Sequence, residues 1–188
     1  MAKHYIGQTV TENPAYMQAD VRVPAAVTLV AGNVVVAEEL DTTLRENIRV
    51  YSPKKVADAT KEDIALILNN GFEKLSDGRL PAGQPDYTQY EYTNGEVITA
   101  HRLLPETRYR ISIDACDDTV VVGTVKVGDN LIPKNGQYTL SYSAKGTAVT
   151  TKNYLTVEAI TYFQIGGQFG SEMVPCLIVR AKTTDATE

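Results

Sequence analysis

Histidine and cysteine are the side chains best suited to metal binding and nucleophilic chemistry near neutral pH, and this chain has two of each: His4, His101, Cys116 and Cys176. Their spacing joins none of them into a known constellation. There is no His-x-x-x-His, no Cys-x-x-Cys and no nucleophile elbow. Cys116 stands among Asp114, Asp117 and Asp118, whose negative charge disfavours a thiolate, so it is expected to be a buried thiol, as is Cys176. Asp114 to Asp118 and Gly128-Asp129-Asn130 offer oxygen ligands of the kind calcium takes, but without the closing glutamate of a calcium loop they read as solvated turns. Gly166-Gly167 and Gly170 lack the Lys-Ser/Thr that completes a phosphate loop and read as a hairpin loop. The expectation is a protein that is not an enzyme and uses no cofactor or metal.

Charge and composition narrow the partners. The chain of 188 residues has net charge −5, and Lys54-Lys55 is its only adjacent basic pair, so no stripe exists that would neutralise a row of phosphates. Nucleic acid and membrane are not expected partners, since no window approaches the apolar length of a membrane span. The opening residues lack the apolar core of a signal peptide, so synthesis in the cytosol is the expectation. Eleven tyrosines against 3 phenylalanines and no tryptophan fit a β protein with contact surfaces, because tyrosine packs its ring while its hydroxyl stays wet.

The elements that would position such residues are mostly strands. Residues 1 to 20 show no apolar period and read as a polar arm. Val27 to Ala31 and Val34 to Ala37 flank Gly32-Asn33, the pattern of a two-residue hairpin, and Asn47 to Tyr51 is a further strand. A helix of about ten residues is expected from Thr60: Thr60 caps it, Glu62 and Asp63 lie at its positive end, Ile64, Ile67 and Leu68 share a face, and Asn70-Gly71 stops it. Leu75 to Tyr87 is a long turn-rich loop, followed by Tyr90 and Tyr92 at the spacing that puts both rings on one face of an extended segment. Glu96 to Leu104 and Arg108 to Ala115 alternate as strands. Beyond them lie short apolar runs at 119–122, 125–127, 131–132, 138–142, 148–151, 154–163 and 173–181. Turns every eight to twelve residues favour a barrel or sandwich. The expected fold is therefore mainly β (α+β): an arm over 1–20, an α+β region with one short helix over 21–105, and a small C-terminal β barrel or sandwich over 106–188.

Three C-terminal stretches carry a resemblance. Lys126-Val127-Gly128-Asp129-Asn130-Leu131-Ile132, Tyr154-Leu155-Thr156-Val157-Glu158-Ala159-Ile160 and Val174-Pro175-Cys176-Leu177-Ile178-Val179-Arg180 resemble the closing pattern of tailed-bacteriophage capsid decoration, or cement, proteins. The resemblance covers about the last sixty residues. It implies a virion protein on the capsid exterior that binds the major capsid protein and stabilises the mature lattice; such proteins are often trimers and sometimes monomers, so the resemblance leaves both states open. Its grips would be the arm and the tyrosine loop, with Tyr5, Ile6, Val10, Tyr16, Tyr87, Tyr90 and Tyr92 as contacts. The competing expectation is a head-fibre or tail-associated module that binds host surface carbohydrate.

Overall fold

In the computed structural model the described residues are 3–10, 18–39, 50–69, 87–165 and 172–184, and the fold is mainly β. The strands are β1 (Gly7–Thr9), β2 (Gln18–Arg22), β3 (Val34–Glu39), β4 (Val50–Lys54), β5 (Ala65–Ile67), β6 (Val97–Arg102), β7 (Arg108–Ser112), β8 (Asn130–Pro133), β9 (Leu140–Ser143), β10 (Asn153–Ile165) and β11 (Glu172–Thr183). Five of them close a barrel in the order β2-β4-β3-β5-β6. The others form a six-stranded sheet in the order β1-β7-β11-β10-β8-β9. The mainly β fold is as expected, but the closed barrel lies in the N-terminal region, where one short helix was expected, and the C-terminal strands join β1 in a sheet.

The segment expected to be a helix is a strand. β5 is buried on both faces: Ala65 and Ile67 point into the barrel with Val21, Val35 and Ile98, while Ile64, Leu66 and Leu68 point out against the sheet. A strand covered on both sides carries apolar residues at successive positions, and over five residues that run cannot be told from a helix face. The expected capping residues serve a turn instead. Asp58 accepts from the Thr60 amide at 3.0 Å, and Glu62 reaches back to the amides of Ala57 and Asp58 at 2.7 and 3.0 Å.

β3 shows the same two-sided burial: Val34 joins the core shared with the sheet and Val35 the barrel core. The turn before it forms, with Gly32 at φ +92° and the Asn33 side chain accepting from the Val30 amide at 3.1 Å. The hairpin expected around that turn does not form, because β3 pairs with β4 and β5 while Leu29 bridges to Tyr92. The runs 119–122, 125–127 and 148–151 are loops rather than strands.

One core, centred on Leu66, Tyr109, Ile111, Leu131, Leu155 and Leu177, is shared by the outer wall of the barrel and one face of the sheet. The segment expected to be a free arm is, over residues 3–10, built into this body. β1 pairs with β7 in the register Gly7↔Ile111 to Thr9↔Tyr109. Ile6 is buried in a small core with Val174 and Cys176.

Candidate partner-binding surfaces

The residues with chemical potential are placed as structural members. His4 is buried, with Nδ1 2.8 Å from Thr88 Oγ1 and Nε2 3.2 Å from Glu172 Oε2, and its amide donates to Asp114 at 2.9 Å. It ties together segments that are 84, 110 and 168 positions distant, which no local pattern in the sequence announces. His101 is buried against Tyr109, with Nδ1 2.7 Å from the tyrosine oxygen and 3.1 Å from the Arg102 carbonyl. Burial of the thiol, then the charges of Asp117 and Asp114, push Cys116 up to about 12, and burial pushes Cys176 up to about 11. Both thiols are free and protonated at neutral pH, as their sequence surroundings foretold. Among the described residues no three His, Cys, Asp or Glu side chains gather in a metal-binding group, and no helix is long and apolar enough to cross a membrane.

Of the contact residues expected from the sequence, Ile6 and Tyr92 are core residues, which corrects their assignment. Tyr90 is half-buried, packs edge-on against Tyr92 with centroids 5.2 Å apart, and donates its hydroxyl to Glu96. Tyr5 is half-buried beside the 3-10 turn Tyr87–Gln89, its amide donating to the Thr88 carbonyl. Val10 is exposed. Tyr16 and the Tyr87 side chain lie outside the described residues.

Two surfaces that the sequence did not single out expose large apolar side chains. The first is the loop between β7 and β8. Val120 and Val125 anchor it in the core, while Val121, Val122 and Val127 stand 49, 51 and 59 % exposed. Carboxylates brace it at both ends. Asp117 accepts from the Thr119 amide at 3.0 Å and from the hydroxyls of Thr119 and Ser141. Asp129 accepts from the amides of Lys126 and Lys145, both at 2.8 Å. Burial works against ionisation of Asp129, but the amides of Lys145 and Lys126, the Tyr142 hydroxyl and the Lys126 charge together outweigh it and hold the carboxyl below its usual value. Gly128, at φ +93°, makes the turn that docks the loop on β10 through its amide and the Val157 carbonyl at 2.8 Å. The acidic turns considered as calcium ligands therefore act as loop braces.

The second surface is the far half of the hairpin formed by β10 and β11, strands of 13 and 12 residues that pair from Asn153↔Thr183 to Ile165↔Glu172. A bulge between Val157 and Ala159 turns β10 away from β8, whose pairing ends at Leu155 and Thr156. Past the bulge the core-side face of the hairpin is uncovered, and Ile160, Tyr162 and Met173 are 42, 54 and 53 % exposed.

The chain matches no family model, no curated protein and no solved structure.

Proposed function

We propose that this chain is a capsid decoration protein of a tailed bacteriophage, binding the outside of the mature major-capsid lattice and stabilising it without catalysis. The observation that carries this reading is the valine loop. Three half-exposed valines are displayed on a backbone already held by two carboxylates and two buried anchors. A preordered apolar loop surrenders little conformational freedom on binding, so more of its contact energy appears as affinity. Preferential binding to the expanded shell stabilises that shell by mass action, and repeated copies on a lattice convert modest contacts into a durable coat. The C-terminal resemblance supports the same reading.

The test uses expanded, undecorated shells assembled from the major capsid protein of the phage that encodes the chain. The full chain is expected to bind them, and imaging should show density over the valine loop. A variant with Val121, Val122 and Val127 each changed to threonine should fold normally and bind at least ~10-fold more weakly, because it removes apolar contact without changing side-chain shape much. Equal binding by that variant, or no binding by the full chain, would sink the reading.

A further inference from the structure

Among the described residues the far half of β10 has a free edge. β8 pairs only with Leu155 and Thr156, the turn at Gly128 and Asp129 reaches only Val157, and from Glu158 to Ile165 no described residue pairs with this side of the strand. The opposite edge of the hairpin is guarded. There Pro175 lacks an amide hydrogen, and Glu172 and Val174 are covered by His4 and Ile6 of the N-terminal segment. Past Glu158 the edge of β10 has neither proline nor charge: Ala159-Ile160-Thr161-Tyr162-Phe163-Gln164-Ile165 contains no acidic or basic residue in a chain of net charge −5. An unguarded edge next to exposed apolar side chains is a template for another strand.

We propose that the occupant is β10 of a second copy of this chain, paired antiparallel about a two-fold axis at Thr161. The segment is complementary to itself. With Thr161 opposite Thr161, Ile160 of each copy faces Tyr162 of the other, an aromatic–β-branched pair made twice on the exposed apolar face. Within 158–165 the one carboxylate, Glu158, falls opposite Gln164, so no like charges meet along the paired strands. A two-fold contact also satisfies the open ladder of both copies at once, and the two sheets become one.

The mass of the full chain by sedimentation equilibrium tests this. At rising concentration it should approach twice the 20.5 kDa chain mass. Thr161→Lys sets two ammonium groups face to face across the axis and should weaken the dimer roughly 100-fold or more. Thr161→Glu should do the same, and an equimolar mixture of the two variants should recover the dimer, because lysine then faces glutamate. Circular dichroism of each variant checks that the fold is intact, and wild-type amide exchange along β10 should slow as dimer forms. A full chain that stays monomeric overturns the proposal, and does so equally if Thr161→Lys proves to weaken shell binding, which would make the occupant a strand of the capsid. A dimer that survives in Thr161→Lys, or a mixture that stays monomeric, also overturns it. The valine-loop variant should dimerise normally, so this test and the shell-binding test fail independently.

Discussion

Asn69 shows how one amide side chain can fix a short strand that has no apolar pattern of its own. Its Oδ1 accepts from the Gly7 amide at 2.9 Å, its Nδ2 donates to the Tyr5 carbonyl at 3.1 Å, and its own amide donates to the Gly7 carbonyl at 2.9 Å. That clamp draws β1 so close to the barrel that a Cβ on Gly7 would lie 2.4 Å from the Ile67 carbonyl oxygen and 2.6 Å from the Gly32 amide nitrogen. Backbone cannot yield as a flexible side chain does. Gly7→Ala should therefore cost ~1–3 kcal/mol, seen as a melting temperature roughly 3 to 10 °C lower; an unchanged melt would show that β1 has room to shift. His101 supplies a prediction in pH. Its Nδ1 lies within hydrogen-bond reach of the Tyr109 hydroxyl and the Arg102 carbonyl, and its Nε2 is buried with no partner among the described residues. A second proton there would be an unpaired charge in the core, so burial lowers the affinity of this ring for a proton, a loss only partly offset by the Arg102 carbonyl. The folded chain then binds fewer protons than the unfolded one. The contribution is complete above about pH 6.5 and is lost as the pH falls through the lower folded value. Urea unfolding at about pH 7.5 and about pH 5.5 should show the loss in the wild type and a smaller one in His101→Gln. Equal losses in both would mean that other groups govern it. The sequence shows both residues but not these roles, because the partners of Gly7 and His101 meet them only through tertiary contact.

Elements were legible where the apolar residues alternate along the strand. β6, β7, β10 and β11 alternate, and their expected spans agree with the structure to within a few residues. Legibility failed at β5, where burial on both faces erased the alternation, and at the arm, where β1 is only 3 residues long and held by side-chain bonds rather than by its own apolar pattern. The candidate surfaces were harder still. Val121, Val122 and Val127 read as strand residues, and nothing local distinguishes an apolar side chain turned outward by a braced loop from one turned inward by a strand. The brace itself is testable. Asp129→Ala leaves the amides of Lys126 and Lys145 without their acceptor and should cost about 2 kcal/mol, while Asp129→Asn, which keeps one acceptor oxygen, should cost less. Both losses should shrink as the pH falls from about 4 toward the lower value at which the folded Asp129 carboxyl takes up its proton, because a depressed folded value gives stability that is complete above the unfolded value and is lost as the pH falls through the folded one. A constant difference across that range would remove the carboxylate from the account.

At the scale of the whole molecule, barrel and sheet are two architectures but one folding unit. Leu66 and Leu68 leave the barrel wall to pack with Leu131, Leu155 and Leu177, and β1, encoded before the barrel, is the edge strand of the sheet. Chain order therefore interleaves the two bodies, and the boundary expected between residues 105 and 106 runs through one shared core. Residues 106–188 produced alone would lack β1 and expose the apolar face that the barrel covers. Each large aliphatic side chain uncovered costs roughly 1.5–3 kcal/mol, and the several stripped here would exceed the 5–15 kcal/mol by which a domain is stable. The fragment should give collapsed amide resonances and bind a dye specific for exposed apolar surface, whereas the full chain should unfold in one transition that coincides by near-ultraviolet and far-ultraviolet circular dichroism. Leu66→Ala, at the seam, should lower the midpoint of both signals together by the 2–5 kcal/mol of a large-to-small core change. Dispersed resonances from the isolated fragment, or two separate transitions in the full chain, would instead make the sheet an independent domain, and the shared core would then be an interface between domains rather than the centre of one fold.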